Sequence, residues 1–315
     1  MSQIRLNSYS LLPPVVKNLL IINGIMFLAT IAFETRGIDL VALFGLHYFT
    51  ATHFAIWQPI TYMFMHGGFG HLFFNMFALW MFGAAIENTW GGKRFLIYYM
   101  VCGIGAGLIQ LLVIGLKISA ISQNLPPDVV QMVYDNGAHI MSEGKNYLGE
   151  LGELNRAINT PTVGASGSVF GLLLAFGMMY PNAMIYVFML IPLKAKWFVM
   201  IYGALELFYG VTGTQDGIAH FAHLGGMLFG FFLILYWNKG NRFFKMPTFF
   251  KKKRNRKYTV SSNYYYEPRY MSDEDYNYQK KQNEEKINRI LDKISKNGYE
   301  SLTQEEKEFL FRQKK

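Results

Sequence analysis

Apolar residues along positions 15–238 fall into long runs, separated by shorter segments rich in polar residues, glycine and proline. A helix that crosses a membrane needs about 17–25 mainly apolar residues, and six runs come close to that length. We therefore predict an all-α membrane protein whose core, residues 15–238, is a bundle of six transmembrane helices. The predicted spans cover residues 16–33, 71–88, 94–116, 164–180, 197–210 and 218–237.

Two longer segments between the spans are predicted to be loops. Residues 34–70 are rich in aromatic side chains and contain Pro59, Gly67 and Gly68, which is typical of an amphipathic loop at the membrane interface. Residues 117–161 hold five acidic residues, three basic residues and three prolines. This composition indicates an aqueous loop with short helices.

Basic residues indicate the orientation of the spans, because cytoplasmic loops are enriched in lysine and arginine. If the tail at residues 1–14 is cytoplasmic, six spans also place the basic loops at 93–94 and 194–196 and the tail from Lys239 on that side. Seven spans would place the basic tail outside. We therefore predict six spans, both termini in the cytoplasm, the two longer loops outside, and a bacterial plasma membrane as the location.

Composition agrees with a membrane-embedded body that carries a basic tail. Charged residues make up 16% of the chain, against about 25% in an average soluble domain. Residues 1–238 contain 10 basic and 10 acidic residues, whereas residues 239–315 contain 20 and 11. The whole net charge of +9 therefore belongs to the tail.

The tail divides into two predicted parts. Residues 239–282 are predicted to be a disordered juxtamembrane linker. Its basic run Lys251–Lys257 directly follows a membrane span, so we expect it to contact anionic lipid rather than nucleic acid. Residues 283–315 are predicted to form a small helical hairpin, in which Thr303 and Glu306 have capping-box spacing.

Ser166 lies between small residues at the start of the fourth apolar run. In the six-span topology it shares one depth with His223, early in the sixth span, and with His71, which opens the second. Small residues four apart let membrane helices approach closely. Such pairs occur in spans four and six, as Gly167 with Gly171 and Gly226 with Gly230. Close approach would bring Ser166 and His223 within the distance that a nucleophile and its base require; alternatively, the glycines only pack the helices.

His71 and Asn75 lie four residues apart, so they project from the same face of a helix. Together with the backbone N–H of Ser166 they can donate hydrogen bonds to an oxyanion; alternatively, they bond a neighbouring helix. His71, His220 and His223 also suggest a metal site, but the HExxH motif is absent and no carboxylate lies near them in sequence. We therefore predict no metal site and no cofactor.

The soluble-hydrolase motif GxSxG is not matched, because position 168 is Ser168. The chain instead resembles the rhomboid intramembrane serine proteases over residues 15–238. The shared motifs are GASG at 164–167, the pair His71 and Asn75, and AHLGG at 222–226 continuing to Gly230. The order of these motifs and the six-span core agree with that family, whereas the tail lies outside the resemblance.

The resemblance implies a Ser–His dyad without a third acid, with Ser166 as nucleophile and His223 as general base. It also implies that His71 and Asn75 donate hydrogen bonds to the oxyanion and that Gly164 supports the active site. His220 precedes the family motif, so the resemblance does not make it the base.

Two positions depart from the family pattern. Gln58 follows Trp57 where the family often carries a Trp–Arg pair. Phe170 stands where a tyrosine often stacks on the catalytic histidine. Phenylalanine keeps the ring and loses the hydroxyl, so we expect Phe170 to pack on His223.

We accordingly predict a serine endopeptidase that hydrolyses peptide bonds in or next to transmembrane segments of single-pass or polytopic membrane proteins. The alternative is a catalytically inactive rhomboid-like protein that binds transmembrane clients. Few charged residues in the spans and no obvious inverted repeat disfavour a transporter or channel. No nucleic-acid partner is expected, and the sequence does not specify an oligomeric state.

Overall fold

The computed structural model describes residues 9–187, 190–213, 218–240 and 273–312. The chain divides into two compact units, Met1–Phe250 and Lys251–Lys315. In chain order, the helices of the first unit are α1 (Pro14–Glu34), α2 (Leu40–Phe44), α3 (Gln58–Thr61), α4 (Phe69–Trp90), α5 (Gly92–Ser122), α6 (Pro127–Ser142), α7 (Gly149–Asn159), α8 (Ser166–Met179), α9 (Ala195–Thr212) and α10 (His220–Gly240). Two strands, β1 (Met184–Val187) and β2 (Ile191–Lys194), lie between α8 and α9.

One helix lies at the position of each predicted span; in chain order these helices are α1, α4, α5, α8, α9 and α10. Within the described ranges, four helices are long and apolar enough to cross a membrane by length and composition: α1, α4, α5 and α10. Helix α8 is apolar but has 14 residues, and α9 carries Lys196 and Glu206 among its 18 residues. Length and composition thus support an integral membrane protein and give four spans, fewer than the six predicted.

Helix α5 is longer than the predicted third span, 94–116, because it continues to Ser122. Its added turns pack in a small core, where Ile118 is buried with Val133 of α6 and Leu154 of α7. The predicted outer loop at 117–161 therefore begins with the end of α5 and continues into two short helices.

The connection between α8 and α9 is an antiparallel β-hairpin, which the all-α prediction missed. Strand β1 pairs with β2 in a register that joins Met184 to Lys194 and Val187 to Ile191. Pro192 lacks the N–H that a helix interior needs but is tolerated in an edge strand. Both strands of a two-stranded ribbon are edges, so Pro192 fits this hairpin between the fourth and fifth predicted spans.

The loop at residues 34–70 packs onto the helices and reaches the start of α8. Leu46 and Tyr62 are buried, and Leu46 forms an antiparallel bridge with Thr162. The Tyr62 hydroxyl donates to a carbonyl oxygen of α5 at 2.6 Å. The Tyr62 carbonyl accepts from the N–H of Gly164 at 2.9 Å. These bonds hold the segment that leads into α8.

Gln58 anchors the same loop at the position where the resemblance leads one to expect an arginine. Its Nε2 donates to the carbonyl oxygens of His53 at 2.7 Å and Leu43 at 3.3 Å. Its Oε1 accepts from the N–H of His47 at 3.2 Å. An amide both donates and accepts, whereas a guanidinium only donates, so an arginine here could not accept from the N–H of His47.

Helix α8 packs against α4, α5 and α10. A Cβ on Gly226 of α10 would overlap the carbonyl oxygen of Gly167 in α8, so glycine is needed for the two backbones to come this close. On the α5 side, the buried Ser168 donates its hydroxyl to the carbonyl oxygen of Tyr99 at 2.7 Å. The predicted close approach of the glycine-bearing spans four and six is confirmed at Gly226.

Glu87, near the end of α4, caps the start of α1. Its Oε1 accepts from the N–H of Val15 at 2.9 Å, and its Oε2 accepts from the N–H of Val16 at 2.8 Å. The first N–H groups of a helix lack intrahelical acceptors and form the positive end of the helix dipole. This buried carboxylate therefore satisfies two donors and complements the dipole.

Glu87→Ala is expected to lower the stability of the detergent-solubilised protein by about 1–3 kcal/mol, because two buried N–H groups lose their acceptor. Glu87→Gln keeps one acceptor oxygen and should lose less stability. Thermal unfolding followed by circular dichroism measures both changes. Equal unfolding midpoints for the parent and Glu87→Ala would mean that this carboxylate does not stabilise α1.

The second unit is a helical hairpin of α11 (Asp273–Asn297) and α12 (Gln304–Arg312), joined through a 3₁₀ turn. The capping-box bonds are present. The Thr303 N–H donates to Glu306 Oε2 at 2.8 Å, and the Glu306 N–H donates to Thr303 Oγ1 at 3.3 Å. Lys293 of α11 pairs with the same carboxylate at 2.8 Å, which ties the two helices together.

Helix α11 begins earlier than the hairpin predicted at 283–315. Residues 273–282 are helical, where the sequence predicts part of a disordered linker over 239–282. An amphipathic repeat marks only the buried face of a helix, and the polar first turns of α11 lack that signal. The remainder of the linker from residue 241, including Lys251–Lys257, lies outside the described residues.

Candidate active site

Ser166 is the first residue of α8 and contacts a histidine of α10. Its Oγ lies 2.9 Å from Nε2 of His223, which is buried near the start of α10. The two side chains meet because α8 and α10 approach closely at Gly167 and Gly226. The structure thus brings the predicted nucleophile and the predicted base within hydrogen-bond distance.

Phe170 fixes the plane of the His223 ring. The two rings are stacked, with centroids 4.1 Å apart and an interplanar angle of 7°. Phe170 follows Ser166 by four residues on α8, so both side chains lie on the same face of that helix. The stack covers a face of the imidazole and leaves both nitrogens at the ring edge available for hydrogen bonds.

A third side chain, Glu206 of α9, contacts the other nitrogen of His223. The Oε2 of Glu206 lies 2.8 Å from His223 Nδ1 and 2.7 Å from His220 Nδ1. All three side chains are largely buried. The expected dyad therefore has an acid beside it, and His220 joins the same group.

Glu206 was not predicted as a site residue, because it lies 14 residues before His220 and 17 before His223 along the chain. The acid comes instead from a different helix and meets them only after α9 packs on α10. One signal was available: Glu206 is the single charged residue in the predicted span 197–210. Ionisable residues inside membrane spans are rare and usually functional.

The hydrogen positions in this group follow from the chemistry of its members. An ionised carboxylate only accepts hydrogen bonds, so His220 and His223 each carry a hydrogen on Nδ1 that points to Glu206. A His223 ring whose single hydrogen lies on Nδ1 has none on Nε2, so Nε2 can accept from the Ser166 hydroxyl. This is the tautomer that a base for Ser166 needs.

The same three residues offer a set of ligand atoms that can hold a metal ion. One atom each from Glu206, His220 and His223 lies within 4.8 Å of the others. Carboxylate oxygen and imidazole nitrogen are common zinc ligands. A metal on Nδ1 of His223 would move the ring hydrogen to Nε2, however, and that tautomer cannot accept from Ser166.

Gly164 brings the main chain close to His71. Its φ of 128° lies in the region that favours glycine. A Cβ at this position would come 2.8 Å from both Cε1 and Nε2 of His71 and 3.5 Å from Ser166 Oγ. The imidazole of His71 and the hydroxyl of Ser166 therefore flank the same residue.

Asn75 lies one turn after His71 on α4 and is buried. Its Nδ2 donates to the main-chain carbonyl oxygen of His71 at 3.0 Å. That bond stays within the helix and uses one of the two amide hydrogens. The structure thus places Asn75 on the His71 side of α4 and leaves a second amide hydrogen for another acceptor.

The start of α8 supplies backbone donors next to Ser166. Ala165 at the N-cap has no side-chain acceptor, and the first N–H groups of a helix have no intrahelical partner. The helix dipole adds partial positive charge at this end. An anion that forms beside Ser166 would meet these N–H groups and the nearby ring of His71.

His66 packs beside His71 just before α4 begins. Their ring centroids are 5.1 Å apart in an edge arrangement. Burial, with a smaller effect of His71, lowers the pKa of His66 from 6.5 to about 4. At pH 7 His66 is therefore neutral and adds no charge next to His71.

Because of His66, the free energy of unfolding is expected to decrease as the pH is lowered from 7 to 4. A depressed pKa means that the folded state favours the neutral ring. The contribution is therefore fully present above pH 6.5 and is lost as the pH falls towards 4. The loss near pH 4 should reach about 3 kcal/mol. Unfolding midpoints of the parent and His66→Phe between pH 4 and 7 measure it; parallel curves would contradict this assignment.

Two family models match the chain. One is described as Rhomboid domain and covers residues 53–239. The other is described as a family of unknown function, DUF6576, and covers residues 270–312. The first match contains α3 to α9 and nearly all of α10, and the second contains the hairpin of α11 and α12.

Several similar proteins carry the same family name. Rhomboid-like protein 11, chloroplastic, of Arabidopsis thaliana is 28% identical over 70% of this chain and 63% of its own length. Rhomboid protein 1, mitochondrial, of Saccharomyces cerevisiae is 26% identical over 53% of this chain and 38% of its own length. Rhomboid protease GluP of Bacillus subtilis is 44% identical over 48 residues, which are 15% of this chain and 10% of that protein.

The chain thus spans less than two thirds of the length of the Arabidopsis and yeast proteins. These matches agree with the apolar helices in describing an integral membrane protein. The Rhomboid domain model covers more than half of the residues, and the chain therefore belongs to the rhomboid family.

Proposed function

We propose that this protein is an intramembrane serine endopeptidase that cleaves peptide bonds in or next to transmembrane segments of other membrane proteins. Membership of the rhomboid family supports intramembrane protease function in general. The observation that carries the specific proposal is the 2.9 Å contact between Ser166 Oγ and His223 Nε2. An inactive client-binding protein has no need for a nucleophile and a base at this distance.

In the first proposed step, Ser166 Oγ forms a bond to the carbonyl carbon of the scissile peptide while its proton passes to His223 Nε2. The electron pair of the carbonyl double bond moves to oxygen and creates an oxyanion. The N–H of Ser166, the ring of His71 and the second amide hydrogen of Asn75 donate to that oxygen. Gly164 leaves room for the oxygen because it has no side chain.

In the second proposed step, the intermediate breaks its C–N bond as His223 gives its proton to the leaving amine. The acyl group then remains on Ser166. A water oxygen then forms a bond to the ester carbon while the water gives a proton to His223. The second intermediate breaks its bond to Ser166 Oγ, His223 returns the proton to that oxygen, and the new carboxyl group is released.

The proposal includes six spans, with α8 and α9 added to the four that satisfy length and composition. At 1.5 Å per residue, α8 is about 21 Å long, shorter than the hydrocarbon core of about 30 Å. A helix this short, packed against α4, α5 and α10, would begin at Ser166 below the outer surface of the membrane. A substrate span must unwind there, because helical carbonyl groups are shielded from attack.

The segments outside the core complete the proposal. We place both termini on the cytoplasmic side of a bacterial plasma membrane, following the distribution of basic loops. The run Lys251–Lys257 would then face anionic headgroups directly after the last span.

Cleavage of a reporter tests the proposed function. The full chain is reconstituted in liposomes with a transmembrane reporter that carries helix-destabilising residues near one membrane surface. We expect two fragments from the parent protein and an intact reporter with His223→Ala. An uncleaved reporter that copurifies with the parent protein would instead support a client-binding rhomboid-like protein.

A further inference from the structure

Glu206 is a buried acid that the steps above do not use. Its side chain is 11% exposed in the middle of α9, and its Oε2 lies between the Nδ1 atoms of His220 and His223. A carboxylate removed from water is costly unless hydrogen bonds satisfy it. Two imidazole N–H groups on one oxygen supply those bonds.

We infer that Glu206 is a positioning residue for the proposed protease. It holds His223 in the tautomer that accepts the Ser166 proton, and it stabilises the imidazolium that then forms. This inference rests on the proposed function and adds an acid to the dyad that the family resemblance implies.

The tautomer argument depends on both nitrogens of one ring. With its Nδ1–H donated to Glu206 at 2.8 Å, neutral His223 presents a lone pair at Nε2, 2.9 Å from Ser166 Oγ. Without the carboxylate, the ring hydrogen could move to Nε2, or the ring could flip over about its Cβ–Cγ bond and still stack on Phe170. The Phe170 stack restrains the plane of the ring but does not select its tautomer.

The charge argument concerns the protonated ring. When the Ser166 proton reaches Nε2, His223 becomes a cation with a hydrogen on each nitrogen. The adjacent carboxylate offsets this charge in a site largely shielded from water, where the attraction is stronger than in bulk water. The proton stays on the imidazole and Glu206 stays ionised, so His223 can pass that proton to the leaving amine.

His220 fixes the carboxylate from a second direction. It precedes His223 by three residues on α10, so both rings lie on one face of that helix. Its Nδ1 donates to the same Oε2 at 2.7 Å. Two donors from one helix therefore define where the Glu206 carboxylate lies, and through it the orientation of His223.

The experiment separates kcat from KM for reporter cleavage in liposomes. Glu206→Gln preserves shape and removes the charge. We expect kcat to fall about 100-fold while KM stays within about twofold, because Glu206 acts through His223 and does not touch substrate. Glu206→Asp keeps the carboxylate and should retain about ten times the activity of Glu206→Gln.

Glu87→Gln is the matched control, since it changes another buried glutamate, whose carboxylate accepts hydrogen bonds from backbone N–H groups of α1. It should lower the unfolding midpoint and leave kcat per folded molecule unchanged. A folded Glu206→Gln with the kcat of the parent would overturn the inference. The inference would also be overturned if Glu206→Gln and Glu206→Asp lost the same share of activity and that share equalled the unfolded fraction of each variant.

Two further results would also overturn it, and they point to different causes. Activity that disappears with a chelator and returns with Zn²⁺ would assign Glu206, His220 and His223 to a metal. Equal cleavage by the parent and Ser166→Ala would show that the proposed function itself is wrong.

Discussion

Ser166→Ala is expected to lower kcat for a transmembrane substrate by more than about 1000-fold and to leave the protein folded. The substitution removes the atom that would form the acyl-enzyme. It also removes a hydrogen bond to His223, whose loss should cost about 1 kcal/mol of stability. Fragment formation in liposomes and the thermal unfolding midpoint measure the two effects separately.

Ser168→Ala is the matched control, because it removes a second hydroxyl from the same turn of α8. The Ser168 hydroxyl is buried and bonds the carbonyl oxygen of Tyr99 in α5. Its removal should lower stability by about 1 kcal/mol and leave kcat unchanged. If Ser166→Ala cleaves as fast as Ser168→Ala, Ser166 is not the nucleophile.

Gly226→Ala is expected to reduce both activity and stability. The added Cβ would overlap the carbonyl oxygen of Gly167, so α10 must move away from α8. Overpacking of this kind costs about 1–3 kcal/mol. A displacement of His223 by about 1 Å from Ser166 would lower kcat about 100-fold.

Gly24→Ala is the control for this substitution. Among the described residues, no atom beyond the local backbone of α1 lies within 4 Å of a Cβ at Gly24. Alanine there should therefore leave activity unchanged and slightly favour the helix. Parent-like cleavage and stability in Gly226→Ala would contradict the close approach of α8 and α10.

Much of the helical framework could be predicted from the sequence, because a membrane span is marked by a long apolar run. Helices occupy all six predicted positions, although length and composition alone give four spans. The change from apolar to polar residues shows where a span leaves the membrane, but a helix can continue beyond that point. Helix α5 continues to Ser122 because Ile118 packs against α6 and α7.

The part of the candidate site that short sequence motifs mark could be predicted. The serine motif, the histidine motif and the glycines lie on two helices whose approach follows from small residues. Glu206 could not be placed in the same way, because its contacts with His220 and His223 depend on how α9 faces α10. The β-hairpin around Pro192 was missed for a related reason, since backbone pairing between short segments leaves little periodic signal.

The central claim is that His223 activates Ser166 as a nucleophile. The most direct test is to treat the full chain in membranes with a fluorophosphonate probe and to identify the modified residue by mass spectrometry. We predict modification at Ser166 and a labelling rate at least about 100-fold lower in His223→Ala. Modification of a different serine, or equal labelling rates with and without His223, would contradict the claim.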